Sequence, residues 1–173
     1  NTYSIPLGFN AEETVNVMLN SFKSNVKEKI ENRQLSSEYS IHQIITIASL
    51  IEKEARFDDE KPIIASVIYN RLNQDMKLQI DATVQYVLEE SKERLLYEDL
   101  EVESLYNTYQ YKGLPPGPIC NPGQTSIEAA LNPADTDYLF YFALKNGRHY
   151  FSKSYEEHIQ KQREMKNEGL LDG

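Results

Sequence analysis

Between Ser40 and Arg56 five apolar residues, Ile41, Ile44, Ala48, Ile51 and Ala55, recur at alternating intervals of three and four. At about 100° per residue that spacing puts all five on one face of an α-helix. A strand, with its period of two, would scatter them over both faces. Ser40 precedes Gln43 by three, the spacing of a capping box, so the start of this helix is marked as well as its buried side. His42, Thr46, Ser49 and Lys53 point away from the apolar face. A chain built around such a segment must supply other elements to cover that face.

The same signals recur along the chain. Asn10 precedes Glu13, Thr125 precedes Glu128 and Ser154 precedes Glu157 at capping-box spacing or a close variant of it. They predict helices over roughly 11–32, 41–56, 126–132 and 155–168, the last closed by Gly169. A further helix begins at Pro62, where proline suits a first turn. Its apolar positions are Ile63, Ile64, Val67, Ile68 and Leu72. Tyr138–Leu144 and His149–Ser152 flank the turn dipeptide Asn146-Gly147 and predict a β-hairpin. Leu114-Pro115-Pro116-Gly117-Pro118 must be extended and stiff, which suits either the wall of a groove or a plain connector. The expected class is α+β: mainly helical, with a small β-hairpin or sheet. Residues 1–39 form an N-terminal helix and connector, and residues 40–173 the functional domain.

Charge removes several functions. The 173 residues carry a formal net charge of −9, which argues against nucleic acid as a partner, because phosphate binding needs a basic stripe. Glu89, Glu90, Glu93, Glu98, Asp99, Glu101 and Glu103 crowd one stretch, read as a solvated acidic face. The single cysteine, Cys120, forbids an internal disulfide, and with no basic neighbour in its segment it reads as structural. His42, His149 and His158 lack metal-ligand spacing, so neither a metal nor a cofactor is expected. There is no phosphate-binding glycine loop and no nucleophile elbow.

Glu52 and Glu54 fall on opposite rims of the apolar face of the 41–56 helix. Residues two apart on a helix do not face each other, so these two cannot serve one site as an acid/base pair. A Glu-Lys-Glu run is by default a solvated, ion-paired surface. A carboxyl at the edge of an apolar face can instead be desolvated, which raises its pKa toward that of a general acid. Periodicity alone does not choose between the two glutamates.

Ala48-Ser49-Leu50-Ile51-Glu52-Lys53-Glu54-Ala55 resembles the signature of the endolytic murein transglycosylases, the YceG-like or MltG family. The similarity continues in the family's order through Ala65–Leu72, Leu78–Tyr86, Tyr106–Tyr109, Gly113–Ile119, Asn121–Gly123, Gly147–Ser152 and Glu157-His158, covering about residues 40–160. It implies a lysozyme-like catalytic domain that cuts glycan strands of peptidoglycan between N-acetylmuramic acid and N-acetylglucosamine. The product would carry a 1,6-anhydro end. The second glutamate of the signature, Glu54, is then the catalytic group, with Glu52 the second choice. Gln79, Asp81, Asn107 and Tyr109 are candidate substrate-binding residues. If Gln79 and Asp81 sit on an extended segment, their side chains point the same way. Turn hydrogen bonding and core packing account for these four residues equally well. A hydrolase would need a second carboxylate, for which Asp58, Asp59 and Asp81 stay open. A glycan-binding module without activity is a further alternative. Asn1-Thr2-Tyr3 resembles the tail of a segment that precedes the family's catalytic part. The resemblance further implies one N-terminal membrane helix and a LysM-like part ahead of this chain, and an extracytoplasmic domain. Cell-wall synthesis proteins such as penicillin-binding proteins are implied as partners.

Overall fold

The computed structural model describes residues 3–31, 38–88, 90, 92 and 94–171. Asn1 and Thr2, the end of the first predicted helix at residue 32, and Glu89 and Glu93 lie outside the described residues.

Two antiparallel strands and a set of helices follow in the order expected of a mainly helical chain with one hairpin. α1 (Ala11–Phe22) runs through a π-helical turn, Lys23–Lys27, into α2 (Glu28–Glu31). α3 is Ile41–Glu54, α4 Lys61–Asn73, α5 Asp81–Val87 and α6 Gln124–Leu131. Strands β1 (Phe140–Ala143) and β2 (His149–Ser152) precede α7 (Tyr155–Asn167). In the hairpin Tyr141 pairs with Phe151 and Ala143 with His149. Gly147 holds the turn at φ +79°, a conformation that suits glycine.

Local signals explain the helix starts. Asn10 with Glu13 and Ser40 with Gln43 form complete capping boxes, and Ser154 accepts the Glu157 N–H. Thr125 does not cap α6. That helix starts one residue before it, from an extended Gly123, and the Thr125 hydroxyl instead joins Asp58 and Lys61. α5 was not expected. Its seven residues are too few to display a period.

α3 is the central element. Ile44, Ile47, Ala48, Leu50 and Ile51 are buried and pack with Ile64, Ala65 and Ile68 of α4 and Ala129, Ala130 and Leu131 of α6. Part of its polar side is buried as well: Thr46 and Ser49 are 1% and 0% exposed, while His42 and Lys53 stay exposed. The proline-rich segment explains this departure. Pro116 O bonds His42 Nε2 at 2.8 Å, Ile119 N donates to Ser49 Oγ at 3.0 Å, and Gly123 N donates to Glu52 at 3.1 Å. The segment therefore lies along α3 and covers the middle of the side that periodicity leaves to solvent, around Ser49.

α1 differs from the rest. None of its residues is buried, and Val15, Met18, Leu19 and Phe22 are exposed. Beyond the π turn, Ile30 enters the core with Val26 against it.

Candidate active site

The last turn of α3 delivers two carboxyls to different surroundings. Glu52 accepts hydrogen bonds from the Ser126 hydroxyl and the Gly123 N–H, and Lys61 Nζ stands 3.5 Å away. Lys61 is itself buried and also bonds Asp58 at 2.8 Å and Thr125 Oγ1 at 2.8 Å. Burial pushes the Glu52 pKa up, but Ser126, Gly123 and Lys61 together outweigh it and hold the carboxyl below its usual range. Glu52 is thus a fixed anion that ties α6 and its preceding loop to α3.

Glu54 faces β1 instead. The Tyr141 hydroxyl donates to its Oε2 at 2.8 Å, and no cation bonds it among the described residues. Part of the side chain meets solvent while protein crowds the remainder. Burial drives its pKa up to about 7; the Tyr141 hydrogen bond opposes that rise and the nearby Asp81 charge adds to it. A carboxyl poised there can hold a proton near neutral pH and give it up to a leaving group.

α4 positions the strand that carries Tyr141. Asn70 Nδ2 donates to the carbonyls of Thr136 at 2.8 Å and Tyr138 at 3.0 Å, and Arg71 Nε donates to Leu139 O at 2.6 Å. Arg71, only 8% exposed, donates from Nη1 to Lys77 O, Leu78 O and Gln79 Oε1 at 3.1, 2.8 and 3.3 Å. One guanidinium therefore joins the entry of β1 to the segment that leads into α5. Sequence reasoning missed both Tyr141 and this role of Arg71. Arg71 stood inside a quoted motif, but Tyr141 lies in a run of aromatics where no neighbour singles it out.

The segment after Leu78 is not extended. Gln79 has φ +52°, and Asp81 is the first residue of α5. The expectation that Gln79 and Asp81 share a direction on a strand is therefore corrected. Three carbonyl and side-chain oxygens drawn to Arg71 bend the backbone there, while Ile80 N is held by Thr108 Oγ1 at 2.9 Å. Gln79 and Asp81 are both exposed. Asp81 accepts the Tyr109 hydroxyl, and the charges of Asp81 and Glu54 both act on Tyr109, so these groups lie around one site. Asn107 is fully buried, and both donors of its amide are spent on Leu100 O and Val102 O. Its Oδ1 accepts the Tyr109 N–H at 3.0 Å, so it builds the turn that presents Tyr109. Asp58 and Asp59 are bound to Lys61 and Arg148 respectively.

Behind Tyr141 the hairpin is anchored by a buried pair. His149 Nδ1 lies 3.0 Å from Glu60 Oε2, and the His149 N–H donates to the other Glu60 oxygen at 3.1 Å. Cys120 sits half-buried with its thiol toward Ser49 O, and burial pushes its pKa up, the opposite of an activated nucleophile. No cluster of three or more ligating side chains occurs among the described residues.

A family profile described as the YceG-like family matches residues 1–164, which takes in Glu54, Tyr141 and every element up to α7. This chain belongs to the YceG-like family. It is 46% identical to an endolytic murein transglycosylase of Bacillus subtilis (strain 168) over 147 residues, 85% of this chain and 41% of that protein. An endolytic murein transglycosylase of Streptococcus pneumoniae is 32% identical over 175 residues, 98% of this chain and 32% of that protein. The fold matches a crystal structure of a yceG-like protein from Listeria monocytogenes with a TM-score of 0.84 and 45% identity, covering 93% of this chain and 53% of that one. This YceG-like chain thus spans well under half the length of the curated relatives it matches. No helix among its described residues is long and apolar enough to cross a membrane.

Proposed function

We propose that this YceG-like domain is the catalytic part of an endolytic peptidoglycan transglycosylase, with Glu54 as both acid and base. The observation that carries the reading is the contrast on α3: Glu52 is held ionised by Ser126, Gly123 and Lys61, while Glu54 is desolvated and can keep its proton to about pH 7. The relatives named as endolytic murein transglycosylases support the substrate.

Protonated Glu54 gives its proton to the glycosidic oxygen between N-acetylmuramic acid and N-acetylglucosamine as the C1–O bond breaks. The resulting carboxylate takes the proton of the muramic acid 6-hydroxyl, whose oxygen closes on C1. No water is consumed, the 1,6-anhydro ring forms, and Glu54 ends as it began. The substrate's N-acetyl group can stabilise the developing cation. Gln79, Asp81 and Tyr109 would meet sugar hydroxyls or acetamides, with Asn107 fixing the turn behind Tyr109. In the whole protein this domain would stand outside the cytoplasmic membrane on a single-pass anchor, within reach of cell-wall synthesis proteins such as penicillin-binding proteins.

A hydrolytic reading has one observation in its favour. Asp81, which accepts the Tyr109 hydroxyl, is a carboxylate whose charge reaches Glu54, and a muramidase needs a second carboxylate roughly 5–10 Å from its acid. Mass spectrometry of peptidoglycan digested by the purified full protein separates the cases. Anhydro ends are expected. Reducing ends would establish the hydrolase, and absence of cleavage would leave a binding module.

A further inference from the structure

Resting on Glu54 as the acid, we infer that Tyr141 is a positioning residue that reserves Glu54 Oε1 for the proton and turns it toward the glycosidic oxygen. The inference stands on the 2.8 Å hydrogen bond from the Tyr141 hydroxyl to Oε2. A neutral carboxyl has one O–H and one carbonyl oxygen. The carbonyl oxygen is the better acceptor of the two, so a bond from the phenol to Oε2 favours the proton on Oε1. After proton transfer the same bond stabilises the carboxylate, so it persists through both steps and the carboxyl need not rotate between them.

The phenol is equipped to stay a donor. Burial and the Glu54 charge push its pKa well up, so it does not ionise in place of the acid. Its ring is fixed by an edge-on contact with His149, centroids 5.4 Å apart at 90°, and by Phe151 at 6.0 Å. His149 is in turn held by Glu60. Other charged or titratable groups face this pair from the surrounding elements: Asp81 on α5, Tyr109 on the loop after Asn107, and Arg71 on α4. Asp81 raises the affinity of Glu54 for its proton and Tyr141 lowers it. Removing the phenol must therefore move the titration of Glu54 upward.

The test uses the full protein acting on uncrosslinked glycan strands, with kcat, KM and product ends followed from pH 5 to 9. Tyr141→Phe is expected to lower kcat about 10-fold or more, leave KM within about twofold, and shift the high-pH fall in kcat upward by about half a pH unit or more. The carboxyl carbon of Glu54, followed by NMR without substrate, should titrate higher by a similar amount. Should Tyr141→Phe fail to fold, replacement of Tyr141 by the more acidic 3,5-difluorotyrosine keeps the ring and strengthens the donor, and must shift the same limb downward. A loss of kcat with the limb and the carbon titration unmoved would overturn the positioning role, and so would an unchanged kcat. Failure of the underlying reading looks different: the unmodified protein then yields no anhydro ends, or Glu54→Gln turns over as fast as the parent.

Discussion

The Glu54 carboxyl keeps its proton to about pH 7, whereas an ordinary glutamate releases it near 4.5. Between these values the folded chain holds a proton that the unfolded chain has lost. Stability therefore falls as pH rises across that window and is lowest above it. Glu54→Gln removes the buried charge, so it should raise stability at pH 8 by up to about 3 kcal/mol, less whatever hydration its open edge supplies, and change little at pH 4. Urea titrations at the two pH values check this, and equal gains at both would refute the buried-charge account. The same variant should reduce turnover on glycan strands roughly 100-fold or more, the scale of general acid–base catalysis. Glu52→Gln should behave in the opposite way. It keeps most activity but loses about 1–3 kcal/mol, because the Ser126, Gly123 and Lys61 contacts lose their anion. Asp81→Asn should move the high-pH fall of activity downward, since the Asp81 charge raises the Glu54 pKa; an upward move would contradict it. The separation of Glu52 from Glu54 was legible from helical period alone. The choice between them was not, because it depends on partners that arrive from residues 123–126 and 141.

Single elements show where local signals stop. The starts of α1, α3 and α7 are written in their caps, and the hairpin in Asn146-Gly147. α5 was invisible, since Asp81–Val87 is short and its placement depends on Arg71 and Thr108 rather than on its own pattern. The polar side of α3 was misread for the same reason: only contact with residues 116–123 shows that Thr46 and Ser49 are interior. Arg71 is the most consequential single link between elements. Lysine keeps the charge but cannot reach Leu139 O and the 77–79 segment at once. Arg71→Lys should therefore cost on the order of 2–3 kcal/mol in a chemical melt. An unchanged melt would mean that the fork carries no weight.

Considered as a whole, the molecule has a well-packed body and an arm. The body is organised by α3, and the mainly helical class with one hairpin could be read from periodicity and turns. The separateness of the arm could not, because one continuous helical pattern over residues 11–32 gives no hint of which half finds a core. Backbone amides in α1, which has no buried residue, should exchange with solvent much faster than those of Ile44 to Ile51 in α3. Hydrogen exchange followed by mass spectrometry would show this, and equal protection would mean that α1 is covered in solution. The π turn at Lys23–Lys27 connects the two parts. Such a turn closes over one residue more than an α turn does, and each residue gained or lost in a helix rotates what lies beyond by about 100°. Deleting Lys23 or Ser24, ahead of the core-packed Val26, would leave the body's sequence and packing intact while swinging the exposed row Val15, Met18, Leu19 and Phe22 about a quarter-turn around the axis. The turn acts as the bearing on which the arm's heading is set, so one codon in this stretch selects which way the row looks.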